Sequence, residues 1–107
     1  MWNSRYLKGK PLQNTLEKTF SILDTKTIDL REEIQPYLPI HCTVLISSVA
    51  KDTYISILYR DSQGIVFSED DYLVEKGSQG VIKIDTVQNT VLRITGKCIL
   101  TINFKYV

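Results

Sequence analysis

Apolar residues recur at every second position along most of this chain, in short runs that polar residues separate. That is the period of half-buried β-strands. The plainest run is the last, where Cys98, Leu100, Ile102, Phe104 and Tyr106 alternate with Ile99, Thr101, Asn103 and Lys105. Two longer β-type runs lie mid-chain, Ile40 to Ser47 and Thr53 to Tyr59, with Ala50-Lys51-Asp52 between them. Both are rich in β-branched and aromatic residues and read as a central hairpin. In the second run Ile55, Ile57 and Tyr59 are expected to face the core, leaving Tyr54, Ser56 and Leu58 on the outer face. Val91 to Thr95 alternates in the same way, and Gly96-Lys97 after it reads as a two-residue hairpin connection into the final strand.

The remaining segments are shorter. Leu12, Leu16, Phe20 and Leu23 sit at helical spacing, but Thr19 to Leu23 is β-prone and Asp24-Thr25-Lys26 is turn-like. The expectation is therefore a short strand, a turn and a second short strand over Thr27 to Leu30. Arg31 to Gln35 fits one helical turn with Asp29 or Leu30 at its start, and Pro36 and Pro39 then return the chain to extended geometry. Glu32 and Glu33 are adjacent, so they point in different directions and read as solvated. Arg60 to Gly64 is a turn, Ile65 to Phe67 a strand, Ser68 to Asp71 an acidic loop, and Tyr72 to Val74 another extended piece. Glu75 to Gly80 leads into a strand over Val81 to Asp85. About eight short strands at roughly ten-residue spacing predict an all-β fold, a single antiparallel β-sandwich of jelly-roll type over residues 1–107. At most one helical turn is expected, with Met1 to Lys10 as an extended N-terminal arm.

Composition narrows the function classes. A chain of 107 residues with 43 % hydrophobic and 23 % charged content has enough apolar material for one core. The net charge is +1, from 13 basic and 12 acidic residues, and Arg5, Lys8 and Lys10 form the only basic cluster. A protein that neutralises nucleic-acid phosphates needs more than this, so no nucleic-acid partner is expected. No apolar run approaches the roughly 18 residues of a membrane span, and Met1 to Tyr6 lacks the apolar centre of a signal peptide. Cytoplasmic synthesis without a membrane partner is the expectation.

Catalytic chemistry finds little support. The one histidine, His41, stands beside Cys42, and strand alternation sends the two to opposite faces. Cys98 heads an apolar stripe where a thiolate is disfavoured. Both thiols read as small buried hydrophobes, free rather than bonded to each other, and the protein is expected not to be an enzyme. Glu69, Asp70 and Asp71 could offer oxygen ligands to Ca²⁺, yet they lack the spacing of a calcium loop, so no metal and no cofactor are expected. Gly77 and Gly80 lie outside any strand-to-helix phosphate motif. Aromatic residues are the remaining lead, and Trp2 and Tyr6 on the arm, with Tyr54 and Leu58 on the outer face, are the interface candidates.

The succession Phe20-Ser21-Ile22, Thr27-Ile28-Asp29-Leu30, the Pro-flanked Tyr37-Leu38-Pro39 and the long central runs resembles the small β-sandwich domains of phage virion accessory proteins: head fibres, decoration proteins and tail appendages. That resemblance implies a non-enzymatic structural or binding module, located on a virion, that acts by symmetric self-assembly and surface attachment. A homo-oligomer is implied, a trimer first, with other virion proteins or a surface glycan as further partners. Two alternatives stand beside it: a monomeric carbohydrate-binding module, and a small inhibitor or adaptor that binds a partner by strand addition.

Overall fold

The structure, a computed structural model, describes residues 15–34 and 38–106. The strands are β1 (Thr15–Ile22), β2 (Thr25–Asp29), β3 (His41–Arg60), β4 (Val66–Val74), β5 (Gly80–Ile84) and β6 (Thr90–Lys105). A single helical turn, α1 (Leu30–Glu33), follows β2, and a 3₁₀ turn, Val87–Asn89, precedes β6. All pairings are antiparallel. The all-β fold, and the one α-helical turn among the described residues, agree with the sequence, but the strands there number six rather than about eight.

The central hairpin does not form. His41 to Arg60 is one 20-residue strand bent at its middle, and β6 is one 16-residue strand bent at Gly96. The first half of β3 pairs with the second half of β6, His41 to Ser47 against Lys105 to Ile99. Its second half pairs with the first half of β6, Tyr54 to Tyr59 against Thr95 to Thr90. Each half of this long pair gains a strand on either side. β1 and β5 flank one half, and β2 and β4 flank the other. The result is two four-stranded layers, β1-β6-β3-β5 and β2-β6-β3-β4, folded over a common core.

Parity explains how both halves of β3 bury their alternate residues. Cys42, Val44 and Ile46 point inward in one layer, and Thr53, Ile55 and Ile57 in the other, a change from even to odd. Between Ser47 and Tyr54 β3 advances seven residues while β6, from Ile99 to Thr95, advances four. The three extra residues, an odd number, turn the strand over. Ser48 lies in the left-handed region, φ 50°, at the start of this detour. β6 has no such insertion, so Leu92, Ile94, Cys98, Leu100, Ile102 and Phe104 are buried on even numbers throughout.

Gly96 makes the bend in β6 possible. A Cβ there would stand 2.7 Å from the Cα of Thr53, and the Gly96 N–H donates to the Asp24 carbonyl at 2.7 Å. That bond ties β6 to the Leu23-Asp24 corner between β1 and β2. On the opposite side of the bend, the Lys76 N–H donates to Asp52 Oδ1 at 2.8 Å and the Gly77 N–H to the Val49 carbonyl at 2.9 Å, which pins the β4–β5 corner. Leu30, Ile34 and Val87, all buried, close the other end of the core. Asp29 starts α1, as expected, by accepting the Arg31 N–H at 3.1 Å.

The acidic loop expected at Ser68 to Asp71 is also absent, because those residues continue β4 without a break. Acidic residues fit strands poorly by propensity, but ladder pairing of Glu69, Asp70 and Asp71 with Leu58, Ile57 and Ser56 holds them extended.

Candidate functional surface

Sheet order leaves β4 at one margin, hydrogen-bonded among the described residues to β3 alone. Eight of its nine residues are exposed. Alternation sends Glu69, Asp71 and Leu73 to the outer face of the layer, opposite Leu58, Ser56 and Tyr54. Tyr54 and Leu73 form an apolar cross-strand pair in the open, 57 % and 50 % exposed. Ile65, Val66, Phe67 and Tyr72 are exposed as well. With Tyr54 and Leu73 they make six of the twelve exposed large hydrophobic residues in the described chain. Half of the exposed apolar residues thus gather on one strand and its immediate neighbours.

The sequence-predicted interface residues fare differently. Tyr54 lies on the outer face and is open to solvent. Leu58 shares that face but is only 9 % exposed, so it offers little contact surface. Arg60 reaches from β3 across β6 to Asp29 on β2, Nη2 to Oδ1 at 3.0 Å. Trp2 and Tyr6 lie outside the described residues. Leu73, which sequence reasoning did not single out, occupies the place expected for Leu58. The residue pattern hid it because Tyr72-Leu73-Val74 looked like a fragment rather than the end of a nine-residue strand.

The acidic residues of β4 have specific partners. Ser56 Oγ donates to Asp71 Oδ1 at 2.8 Å, and Tyr59 Oη donates to Asp70 Oδ2 at 3.0 Å. The bond from Ser56 holds the Asp71 carboxyl below its ordinary value, whereas hydrogen bonding to Asp71 and its charge push Glu69 up. Arg93 favours the ionised form of both. Tyr59 is pushed up to about 12, first by burial and then by the bond to Asp70. Asp70 faces away from Glu69 and Asp71, so one ion cannot meet all three carboxylates. Among the described residues no group of three His, Cys, Asp or Glu side chains converges as a metal site.

The Cys–His pair is separated by geometry. Cys42 pairs with Phe104 and Cys98 stands six residues further back on β6, about 20 Å away at ~3.4 Å per residue. A disulfide cannot span that distance, and both cysteines are free and buried. Burial, with a smaller contribution from Asp85, pushes the Cys42 thiol up to about 12, and burial raises Cys98 as well. His41 pairs with Lys105, further still from Cys98. A cleft of about 530 Å³ opens at the β4–β5 margin, lined by Tyr72, Val74 and Ile82 with the polar Glu75, Ser78, Gln79 and Lys83. It holds no histidine and no thiol.

No family model matches the chain, and no curated protein matches it. Among solved structures, one described as "Bacillus endospore appendages form a novel family of disulfide-linked pili" aligns over 90 % of this chain and 88 % of its own, with 13 % identity and a TM-score of 0.49. At this TM-score the likeness carries no functional argument. That neighbour is an endospore appendage, not a virion accessory protein of the kind the sequence pattern resembles.

Proposed function

We propose that this protein is a non-enzymatic structural module that works by associating with further copies of itself through the β4 side of the β2-β6-β3-β4 layer. The observation that carries the reading is the exposed cross-strand pair of Tyr54 and Leu73 on the outer face, with Val66 and Phe67 exposed at the other end of the edge strand β4. An apolar pair left open on a sheet face marks a candidate interaction site, and aromatic residues are favoured anchors in such sites. Its chemistry is that of contact, since neither the cleft nor the β4 carboxylates bring a nucleophile and a base together. Attachment to a particle surface, a virion in the form the sequence resemblance implies, is the wider role that fits a self-associating module.

The test is the solution mass of the full chain beside that of a Tyr54→Ser/Leu73→Ser double variant at neutral pH. Both positions are exposed, so the variant keeps its far-ultraviolet circular dichroism spectrum and its mass falls to that of the monomer. An assembly with unchanged mass in a folded variant removes this surface from the account.

A further inference from the structure

The β4 sequence is nearly symmetrical about its middle residue. Val66-Phe67-Ser68-Glu69-Asp70-Asp71-Tyr72-Leu73-Val74 runs from two apolar residues through a hydroxyl to three acids, then through a hydroxyl to two apolar residues. Asp70 is the fifth of nine. If two copies of this edge meet antiparallel about Asp70, Val66 stands opposite Val74, Phe67 opposite Leu73, Ser68 opposite Tyr72, and Glu69 opposite Asp71. Asp70 then stands opposite its own copy. Such a pairing is isologous and closes on itself, as a two-fold dimer requires. It would also satisfy the free backbone groups of both edges and join two four-stranded layers into one eight-stranded sheet.

Charge opposes that pairing at neutral pH. Six carboxylates would face one another over three consecutive rungs, and like charges directly opposite destabilise a sheet. Inside each copy, the cations and hydroxyls that face this stretch are Arg93 from β6 and Ser56 and Tyr59 from β3. They leave a net negative strip, because one guanidinium stands against three acids. Charged residues on an edge strand are a usual guard against edge-to-edge association. Here the guard occupies only the centre, while the apolar ends, Phe67 at 69 % exposure and Leu73 at 50 %, match each other.

We propose that β4 is an acid-gated dimer seam, closed at neutral pH by Glu69, Asp70 and Asp71 and opened when these carboxylates take up protons, so that a second copy adds its own β4 in antiparallel register. Protonation turns each opposed carboxylate pair into one that can share a hydrogen bond, and the apolar ends then meet. Glu69, raised by its neighbour Asp71, takes up its proton before Asp71, which the bond from Ser56 holds low.

The seam shares β4 with the neutral-pH assembly proposed above, but the two fail separately: that assembly is tested by Tyr54→Ser/Leu73→Ser at neutral pH, and the seam by the change in mass with the charge of Glu69, Asp70 and Asp71. Light scattering after size exclusion, in buffer with a chelator, gives the mass at about pH 7.5 and at about pH 2.5, low enough to protonate Asp71 as well as Glu69, with circular dichroism at both. A twofold rise in mass on acidification, from whatever mass holds at neutral pH, is expected. A folded protein of unchanged mass at the lower pH overturns the seam. A Glu69→Gln/Asp70→Asn/Asp71→Asn variant removes the need for acid and decides the matter if the wild type unfolds there. It is expected to show the doubled mass at about pH 7.5, and wild-type mass overturns the proposal. Adding Phe67→Lys to that variant returns it to wild-type mass. Doubling that survives Phe67→Lys places the contact elsewhere and equally overturns the seam.

Discussion

Replacing Gly96 with alanine would put a methyl carbon 2.7 Å from the Cα of Thr53. Carbon atoms rest about 3.5–4.0 Å apart, so the bend of β6 and the bend of β3 would have to separate by roughly 1 Å. Neither can move alone. The Gly96 N–H is held by the Asp24 carbonyl, and Thr53 is buried with its hydroxyl donating to the Lys51 carbonyl at 2.9 Å. Overpacking of this kind costs about 1–3 kcal/mol. For a domain of this size each kcal/mol lowers Tm by about 4–8 °C, so Gly96→Ala is expected to lower it by somewhere between about 4 and 24 °C. Thermal unfolding followed by circular dichroism measures this, with Lys97→Ala as the exposed neighbour, expected within about 0.5 kcal/mol of wild type. Thr53→Ala removes the Oγ1 that the methyl would also meet but keeps Cα and Cβ, both at 2.7 Å, so it should not fully rescue Gly96→Ala. A Gly96→Ala protein as stable as wild type, or one restored to wild-type stability by Thr53→Ala, would refute the close crossing of the two bends.

Other expectations follow from single contacts. Asp29→Ala removes both the α1 cap and the partner of Arg60, and should cost about 1–2 kcal/mol in urea unfolding, more than Arg60→Ala. Thr90→Val leaves the Thr86 carbonyl without the buried hydroxyl that donates to it, and a loss of about 1–2 kcal/mol is expected in the same assay. Burial raises the Cys42 thiol from 9.0 to about 12, so the folded state keeps a proton that the unfolded chain loses above about pH 9. Its contribution is complete below pH 9 and declines as pH rises toward 12, and Cys42→Val should flatten the alkaline loss of stability. For the same reason neither Cys42 nor Cys98 should react with a thiol reagent at pH 8 until the protein is unfolded.

Much of the fold was legible because alternation is local. The inward faces of Ile55, Ile57 and Tyr59 and of the Cys98 to Phe104 stripe follow from period two alone. The two misreadings share one physical origin. A bend in a continuous strand uses the same residues as a turn between two strands: Ala50-Lys51-Asp52 and Gly96-Lys97 are polar or glycine-bearing in either case. What separates bend from hairpin is the pairing partner, and that is a long-range property. The halves of β3 pair with β6 and never with each other. The acids of β4 misled for the opposite reason, since their propensity points to a loop and the ladder overrides it. On the candidate surface, Tyr54 was found from its position on the outer face. Leu58 was placed on the correct face, but the Arg60–Asp29 bridge beside it could not be read from residues 31 positions apart.

The most direct test of self-association as the working principle is the mass of the full chain at neutral pH and tens of micromolar, in reducing buffer, by light scattering after size exclusion. The account predicts a discrete multiple of 12.3 kDa. A folded particle of 12.3 kDa at every concentration up to that range would contradict it.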